Sequence, residues 1–397
     1  GGTGQIDSLL CGLEMMALYL LVANDHEPVA WKAAAAYVFL GLAFLAKGPV
    51  GVVIPLGAYI AGTMAAGRKA CLFKWHWLWG LLLVLGIAGG WLLLAWHEGA
   101  PPAYFNELIN KQTHDRIVEG TPGHSQNLFY YLGDFPVSFL PWTFFLPAVA
   151  VTARRMENTA ARNFLLGWFA FVVLAFTVPV DKRSLYILFV YPAAAILVAA
   201  AWPDLHEHAV RLARGGVYSI LGLFFFLGIA AIYVSGQDAL PFSGKVLRPL
   251  AIILPAGAIV LVALWDRHGV TSRWLYGMAG VMLAFQLYVS TIIYPALNDI
   301  KTPHEFARIA RQVLKPGDFL LIYNMNAEIL PLYSRSRGLV ADDSRELAEA
   351  MRRMKKGMVV FEPKGWEDAR IELGRYLKPH YFTFGNKQLI WSEFNVK

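Results

Sequence analysis

Hydrophobic and polar positions follow two regimes along this chain. Up to residue 295 long apolar runs alternate with short polar breaks, whereas beyond Asn298 the pattern is mixed and short in period. The apolar runs lie near 6–23, 33–46, 48–65, 77–96, 136–152, 164–180, 185–202, 215–235, 249–265 and 274–295. Most have the roughly 17 to 25 residues that an α-helix needs to cross a bilayer core. The pattern predicts ten membrane helices, and hence a polytopic α-helical membrane domain over residues 1–298.

The tail reads differently. "TPHEFARIARQVL" predicts a helix with Thr302 as N-cap, Pro303 at the first helical position and Glu305 in the first turn. "FLLIYN", "GLVADD", "GMVVFEP", "HYFTFG" and "KQLIWSEF" read as strands, and "NAEILPLYS", "SRELAEAMRRM" and "EDARIELGRYL" as helices between them. Alternation of this kind predicts a small soluble α/β domain over residues 299–397. It contains no G-x-G-x-x-G fingerprint and no P-loop, so a structural or lid-like role is expected of it.

Composition agrees with the membrane reading. The 397 residues are 57% hydrophobic and 16% charged, with a mean hydropathy of +0.45, whereas a soluble domain carries about 25% charged residues. The formal charge of +7 reflects basic cytoplasmic loops rather than a nucleic-acid partner. Cys11 and Cys71 lie in or beside apolar runs and outline neither a disulfide framework nor a metal cluster. The opening "GGTGQIDSLL" lacks the basic, apolar and small-residue regions of a signal peptide, and it reads as the interior of a longer protein.

Lys and Arg in short loops orient the helices. Arg68, Lys69 and Lys74, then Arg154, Arg155 and Arg162, then Arg211 and Arg214, then Arg267 and Arg273 fall on one side if the ten runs alternate. That side is expected to be cytoplasmic. The other side then receives Asp7, the Lys47-Gly48-Pro49 junction, loop 97–135, Asp181 to Ser184, loop 236–248 and the tail.

The chemistry-bearing residues gather on that outer side. Asp181, Lys182 and Arg183 sit in a break too short to carry them far from lipid, where ionisable groups usually face a cavity or a ligand. Snorkelling to the headgroups is the plainer alternative. Loop 97–135 adds Lys111, His114, Asp115, Arg116, His124 and Asp134 among aromatics. Tyr130 and Tyr131 suit an interfacial anchor, and neither His114 nor His124 has a metal-site spacing to a second ligand. Arg116, Lys182 and Arg183 lack a matching run of carboxylates, a pattern suited to a phosphate held at headgroup level. Asp7 reads either as a helix cap or as a carboxylate facing the same cavity. Lys47 reads either as a headgroup contact at a tight turn or as a further cation aimed inward.

The motifs "GQIDSLL", "LGLAFLAKGPVGVVIP", "YFNELINKQTHDRIVEGTPGHSQNLFYYL", "FLPWTFFLP" and "DKRSLYILFVYP", in this order, resemble the bacterial aminoarabinose–lipid A transferases and their protein-O-mannosyltransferase-like relatives. The resemblance covers essentially the whole chain. It implies a GT-C fold and an inverting sugar transfer from a polyprenyl-phosphate donor to a lipid A-like glycolipid, a glycan or a protein. It also implies a place in the bacterial inner membrane, with the active face and the C-terminal domain periplasmic. Position by position, it implies a catalytic role for Asp7, an acidic residue at the start of its helix, and places Lys47, Arg116, Lys182 and Arg183 at the donor phosphate. His124, Tyr186 and Tyr191 would line the substrate cavity. The family's main catalytic carboxylate lies in a loop upstream of residue 1. Several of these transferases have a Glu-His pair where this chain has Gln112-Thr113, which weakens both a divalent metal contact and lipid A as acceptor. No cofactor is required by this reading. The alternatives are a secondary transporter, which would call for internal repeats and broken helices at the midplane, and a non-catalytic scaffold that kept the fold.

Overall fold

The computed structural model describes residues 6–72, 74–101, 105, 126–179, 182–237, 244–264, 271–301, 303–315, 318–325, 329–384 and 387–396. Its principal helices in the membrane region are α1 (Ile6–His26), α2 (Ala30–Lys47), α3 (Val50–Ala65), α4 (His76–His97), α5 (Tyr130–Ser138), α6 (Leu146–Ala153), α7 (Thr159–Thr177), α8 (Tyr191–Ala201), α9 (Val210–Ser235), α10 (Leu250–Ala263) and α11 (Ser272–Tyr288). Among the described residues, eight helical runs are long and apolar enough to cross a membrane, and α3 is a shorter apolar helix. The protein is a polytopic α-helical membrane protein. On α4, Leu82, Leu85 and Leu93 point outward, which is stable when the surrounding solvent is hydrocarbon.

The fifth apolar run is not straight. It consists of α5 and the segment Trp142–Ala153, which meet at 102°. "DFPVSFLPWTFFLP" places three prolines in this region: Pro136 lacks a ladder donor inside α5, while Pro141 sits at the bend and Pro147 in the first turn of α6, where proline is tolerated.

The chain divides into two compact units, Gly1–Phe224 with Gly257–Ala279, and Phe225–Ala256 with Gly280–Lys397. In the first, α1 packs on α2 and α3, α2 on α4, and α3 on α7. The α3–α7 seam is close: a Cβ on Gly167 would lie 2.7 Å from the Ala61 carbonyl oxygen. Small residues permit such backbone approach between membrane helices.

Polar groups collect at both ends of α1. At one end Lys47 pairs with Asp7. At the other, Asp25, whose side chain is 4% exposed, accepts hydrogen bonds from Tyr59 Oη and Lys74 Nζ, each at 2.7 Å. Beside it, Arg68 Nη1 lies 3.3 Å from His26 Nε2. A cavity of about 510 Å³ brings His26 and Arg68 together with Asn158 and Ala161. Two of the basic loops expected on one side, that of Arg68 and that of residues 154–162, thus meet beside His26 at one end of α1, and the Asp7, Lys47 and Tyr186 regions meet at the other.

The second unit contains a five-stranded sheet of β1 (Phe319–Tyr323), β2 (Arg337–Ala341), β3 (Lys356–Phe361), β4 (His380–Phe384) and β5 (Lys387–Asn395), in the order β2-β1-β3-β5-β4. β1 pairs in parallel with β2 and β3, while β5 runs antiparallel to β3 and β4. Side chains alternate between the two faces as a period of two requires. Leu321, Tyr323, Val359 and Phe361 pack with Leu347, Met351 and Trp366 from helices Ser344–Met354 and Pro363–Leu373. Leu320, Ile322, Met358 and Val360 pack with Phe306 and Ala310 of helix His304–Val313. That last helix starts one residue later than its sequence suggests, because Pro303 occupies the cap position and makes no side-chain cap bond. Thr302 lies outside the described residues.

Candidate functional site

The site grows from two helix ends. Asp7 lies within the first turn of α1, where free backbone N–H groups favour a carboxylate. It is therefore inside the helix rather than capping it. Lys47 is the last residue of α2, where the helix dipole favours a cation. Gly48 follows at φ 66° and donates its N–H to the Phe44 carbonyl at 2.6 Å. That left-handed conformation suits glycine, and Pro49 then leads directly into α3. The tight turn and the inward aim of Lys47 are both present. Its ammonium bonds the Asp7 carboxylate and lies 4.7 Å from the centroid of the Tyr186 ring. With side-chain exposures of 22% and 15% the pair is mostly shielded from water. Such pairs are poor stabilisers relative to apolar packing, yet costly to break from one side.

The segment 182–190 forms the facing wall. Lys182 is 5% exposed, and its Nζ donates to the carbonyls of Pro179 at 2.7 Å and Gln126 at 3.3 Å. Among the described residues its partners are these two backbone carbonyls. Arg183 is exposed, and its carbonyl accepts from Tyr131 Oη at 3.2 Å. Ser184 Oγ donates to Asp134 Oδ1, and Tyr130 Oη lies 3.1 Å from Ser184 Oγ. These bonds fix α5 to the Lys182–Ser184 turn, a more specific role than the interfacial anchoring expected of both tyrosines. Asp134 Oδ2 is buried without a hydrogen-bond partner among the described residues.

Tyr191 stacks on Phe135 and Phe139, with centroids 5.8 and 6.1 Å away. It lines an apolar cavity of about 550 Å³ that also touches Ser8, Cys11, Gly12 and Met15 of α1. Arg116 and His124, like Asp181, lie outside the described residues. The structure thus joins Asp7, Lys47 and Tyr186 directly, and places Lys182, Arg183 and Tyr191 on the two ends of one short segment.

One residue was passed over in the sequence. Glu14, buried at 3% exposure, lines a cavity of about 20 Å³ with Asp7, Lys47 and Tyr186. The signal for it was present. Asp7, Glu14 and Asp25 stand seven and eighteen residues apart on one helix, close to two and five turns at 3.6 residues per turn. Among the described residues no three His, Cys, Asp or Glu side chains are grouped to hold a metal.

A bundle of this kind, with an α/β domain after its last span, has the GT-C type of architecture. The fold matches the crystal structure of ArnT from Cupriavidus metallidurans bound to undecaprenyl phosphate with a TM-score of 0.70 at 19% identity, covering 98% of this chain and 74% of that one. In sequence the chain is 28% identical over 305 residues to the undecaprenyl phosphate-alpha-4-amino-4-deoxy-L-arabinose arabinosyl transferase of Edwardsiella ictaluri (strain 93-146), covering 72% of this chain and 53% of that protein. It is 26% identical over 326 residues to arabinosyl transferase 2 of the same description from Sodalis glossinidius (strain morsitans), covering 77% and 57%. An uncharacterized protein of Aquifex aeolicus (strain VF5) is 25% identical over 371 residues, covering 92% and 68%. No family model matches the chain. The chain therefore resembles the aminoarabinose transferases, as its motifs suggest, and spans a little over half the length of the Edwardsiella and Sodalis proteins.

Proposed function

We propose that the protein is a membrane glycosyltransferase of the bacterial inner membrane. It moves a sugar from a polyprenyl-phosphate donor to an acceptor on the outer face, where the α/β domain of residues 299–397 also lies. The observation that carries this reading is the shielded Asp7–Lys47 pair beside Tyr186, four residues along the chain from the buried Lys182. Lys182 and Arg183, with Lys47 and Arg116, hold the donor phosphate, and the apolar cavity at Tyr191 takes part of the isoprenoid chain.

In the reaction an oxygen of the acceptor attacks the anomeric carbon as the bond from that carbon to the phosphate oxygen breaks. The departing polyprenyl phosphate gains negative charge, and fixed cations in a dry cavity stabilise it. The acceptor's proton passes to a carboxylate. Asp7 orients the acceptor and holds Lys47 in place. His124 and Tyr186 line the sugar's side of the cavity. The relatives' description supports a pentosyl donor, and the lipid-level site supports a glycolipid acceptor.

The test uses the full-length protein in membranes, with undecaprenyl-phosphate donors carrying an aminopentose or a hexose. Sugar should leave the pentosyl donor and appear on extracted glycolipid; its appearance on glycan or protein would reassign the acceptor. No release from any donor by folded protein would refute the reading.

A further inference from the structure

Glu14 lies seven residues below Asp7 on α1, about 10 Å further along the helix at 1.5 Å per residue. A carboxylate at such a depth in a membrane helix is costly and usually has a functional partner. Its surroundings in the shared cavity are otherwise largely aliphatic and aromatic, including Leu10, Ile54 and Phe176. The cavity's volume of about 20 Å³ is that of one water molecule. Glu14 shares this cavity with both Lys47 and Asp7. The cavity thus holds one ammonium and two carboxylates, Asp7 in the first turn of α1 and Glu14 about two turns further along.

The proposed reaction gives this arrangement a use. The donor is a phosphodiester with one negative charge, whereas the product is a phosphate monoester carrying about −1.5 to −2 near pH 7. Cations that hold the donor well therefore hold the product better. A site made only of cations would be slow to release it.

Building on the glycosyltransferase reading, we propose that Glu14 is a positioning residue that competes with the phosphate for Lys47. It gives the ammonium a second carboxylate, beside Asp7, as polyprenyl phosphate departs. Glu14 touches neither sugar nor acceptor. Its effect passes entirely through Lys47, and it sets product release rather than the chemical step.

The experiment compares full-length wild type, Glu14→Gln, Glu14→Asp, Lys47→Ala and the Glu14→Gln/Lys47→Ala double variant in lipid nanodiscs. Undecaprenyl phosphate is the binding probe, steady-state kinetics are run on the donor, and thermal unfolding reports the fold. Glu14→Gln should bind undecaprenyl phosphate about tenfold more tightly, the scale on which a partly screened charge acts at this range. Its kcat and KM for donor should fall together, and product inhibition should strengthen. Glu14→Asp should shift in the same direction by less. In the Lys47→Ala background, Glu14→Gln should change affinity no further.

Unchanged or weaker product binding by folded Glu14→Gln would overturn the proposal. So would an equal effect in the Lys47→Ala background, because the charge would then act elsewhere. If neither Glu14 variant folds, Glu14 is a structural residue and the proposal fails. Wild type that binds no undecaprenyl phosphate would instead remove the glycosyltransferase reading, an outcome distinct from the others.

Discussion

Replacing Lys47 by Met removes one half of the shielded pair at the head of α1. Asp7 would then keep a carboxylate that is only 15% exposed with no ammonium to compensate it. Breaking a buried pair from one side costs about 3–5 kcal/mol. The residual exposure of both side chains puts this one at the lower end, about 3 kcal/mol. For a unit of this size that corresponds to a fall of about 6 to 12 °C in Tm, at 2–4 °C per kcal/mol. Adding Asp7→Asn removes the stranded charge, and most of the lost stability should return. Transfer should behave differently. Loss of a cation facing the leaving phosphate should lower kcat about 10²- to 10³-fold, and the double variant should not recover it. Tryptophan fluorescence on heating and single-turnover transfer from a labelled donor supply the two readouts. A double variant that regains activity along with stability would refute the reasoning, because the pair would then be scaffolding alone. So would Lys47→Met with unchanged Tm and turnover.

Three further predictions test the frame around the site. Lys74→Met leaves Asp25, 4% exposed, with Tyr59 as its remaining hydrogen-bond donor among the described residues, and should lower stability by about 3 kcal/mol with donor KM unchanged, as measured by thermal unfolding and kinetics. Gly167→Ala puts a Cβ 2.7 Å from the Ala61 carbonyl oxygen, so α3 and α7 must part, and the cost of about 1–3 kcal/mol should appear as a lower Tm. Gly12→Leu meets nothing within 4 Å of its new Cβ and projects into the apolar cavity. It should leave Tm unchanged or raised while raising the KM for long-chain donors more than for short-chain ones.

Most of the fold was legible because membrane helices announce themselves by length. Each apolar run has its helix, and the clustering of His26, Arg68 and Asn158 at one end follows the alternation that basic loops suggested. The α/β tail was legible for a different reason: its strands alternate faces and its helices, such as His304–Val313, are strongly amphipathic. The 102° bend in the fifth run was not, since its prolines mark a break without saying which way the chain turns. Asp7 and Lys47 were readable singly, but their pairing joins residues 40 positions apart. Lys182 shows the limit most clearly. Its cationic character was plain, yet one of its two carbonyl partners, Gln126, is 56 residues away. Glu14 was lost in an apolar window whose average hides a single carboxylate, although its helical register with Asp7 and Asp25 carried the information.

On the proposed function, the Asp7 end of α1 holds the phosphate of a polyprenyl-linked sugar. The most direct measurement is binding of undecaprenyl phosphate to the full-length protein in nanodiscs, titrated against salt and against Lys182→Ala and Arg183→Ala. The account predicts saturable binding that weakens with each charge removed and with rising salt. Binding indifferent to both substitutions and to salt would contradict it.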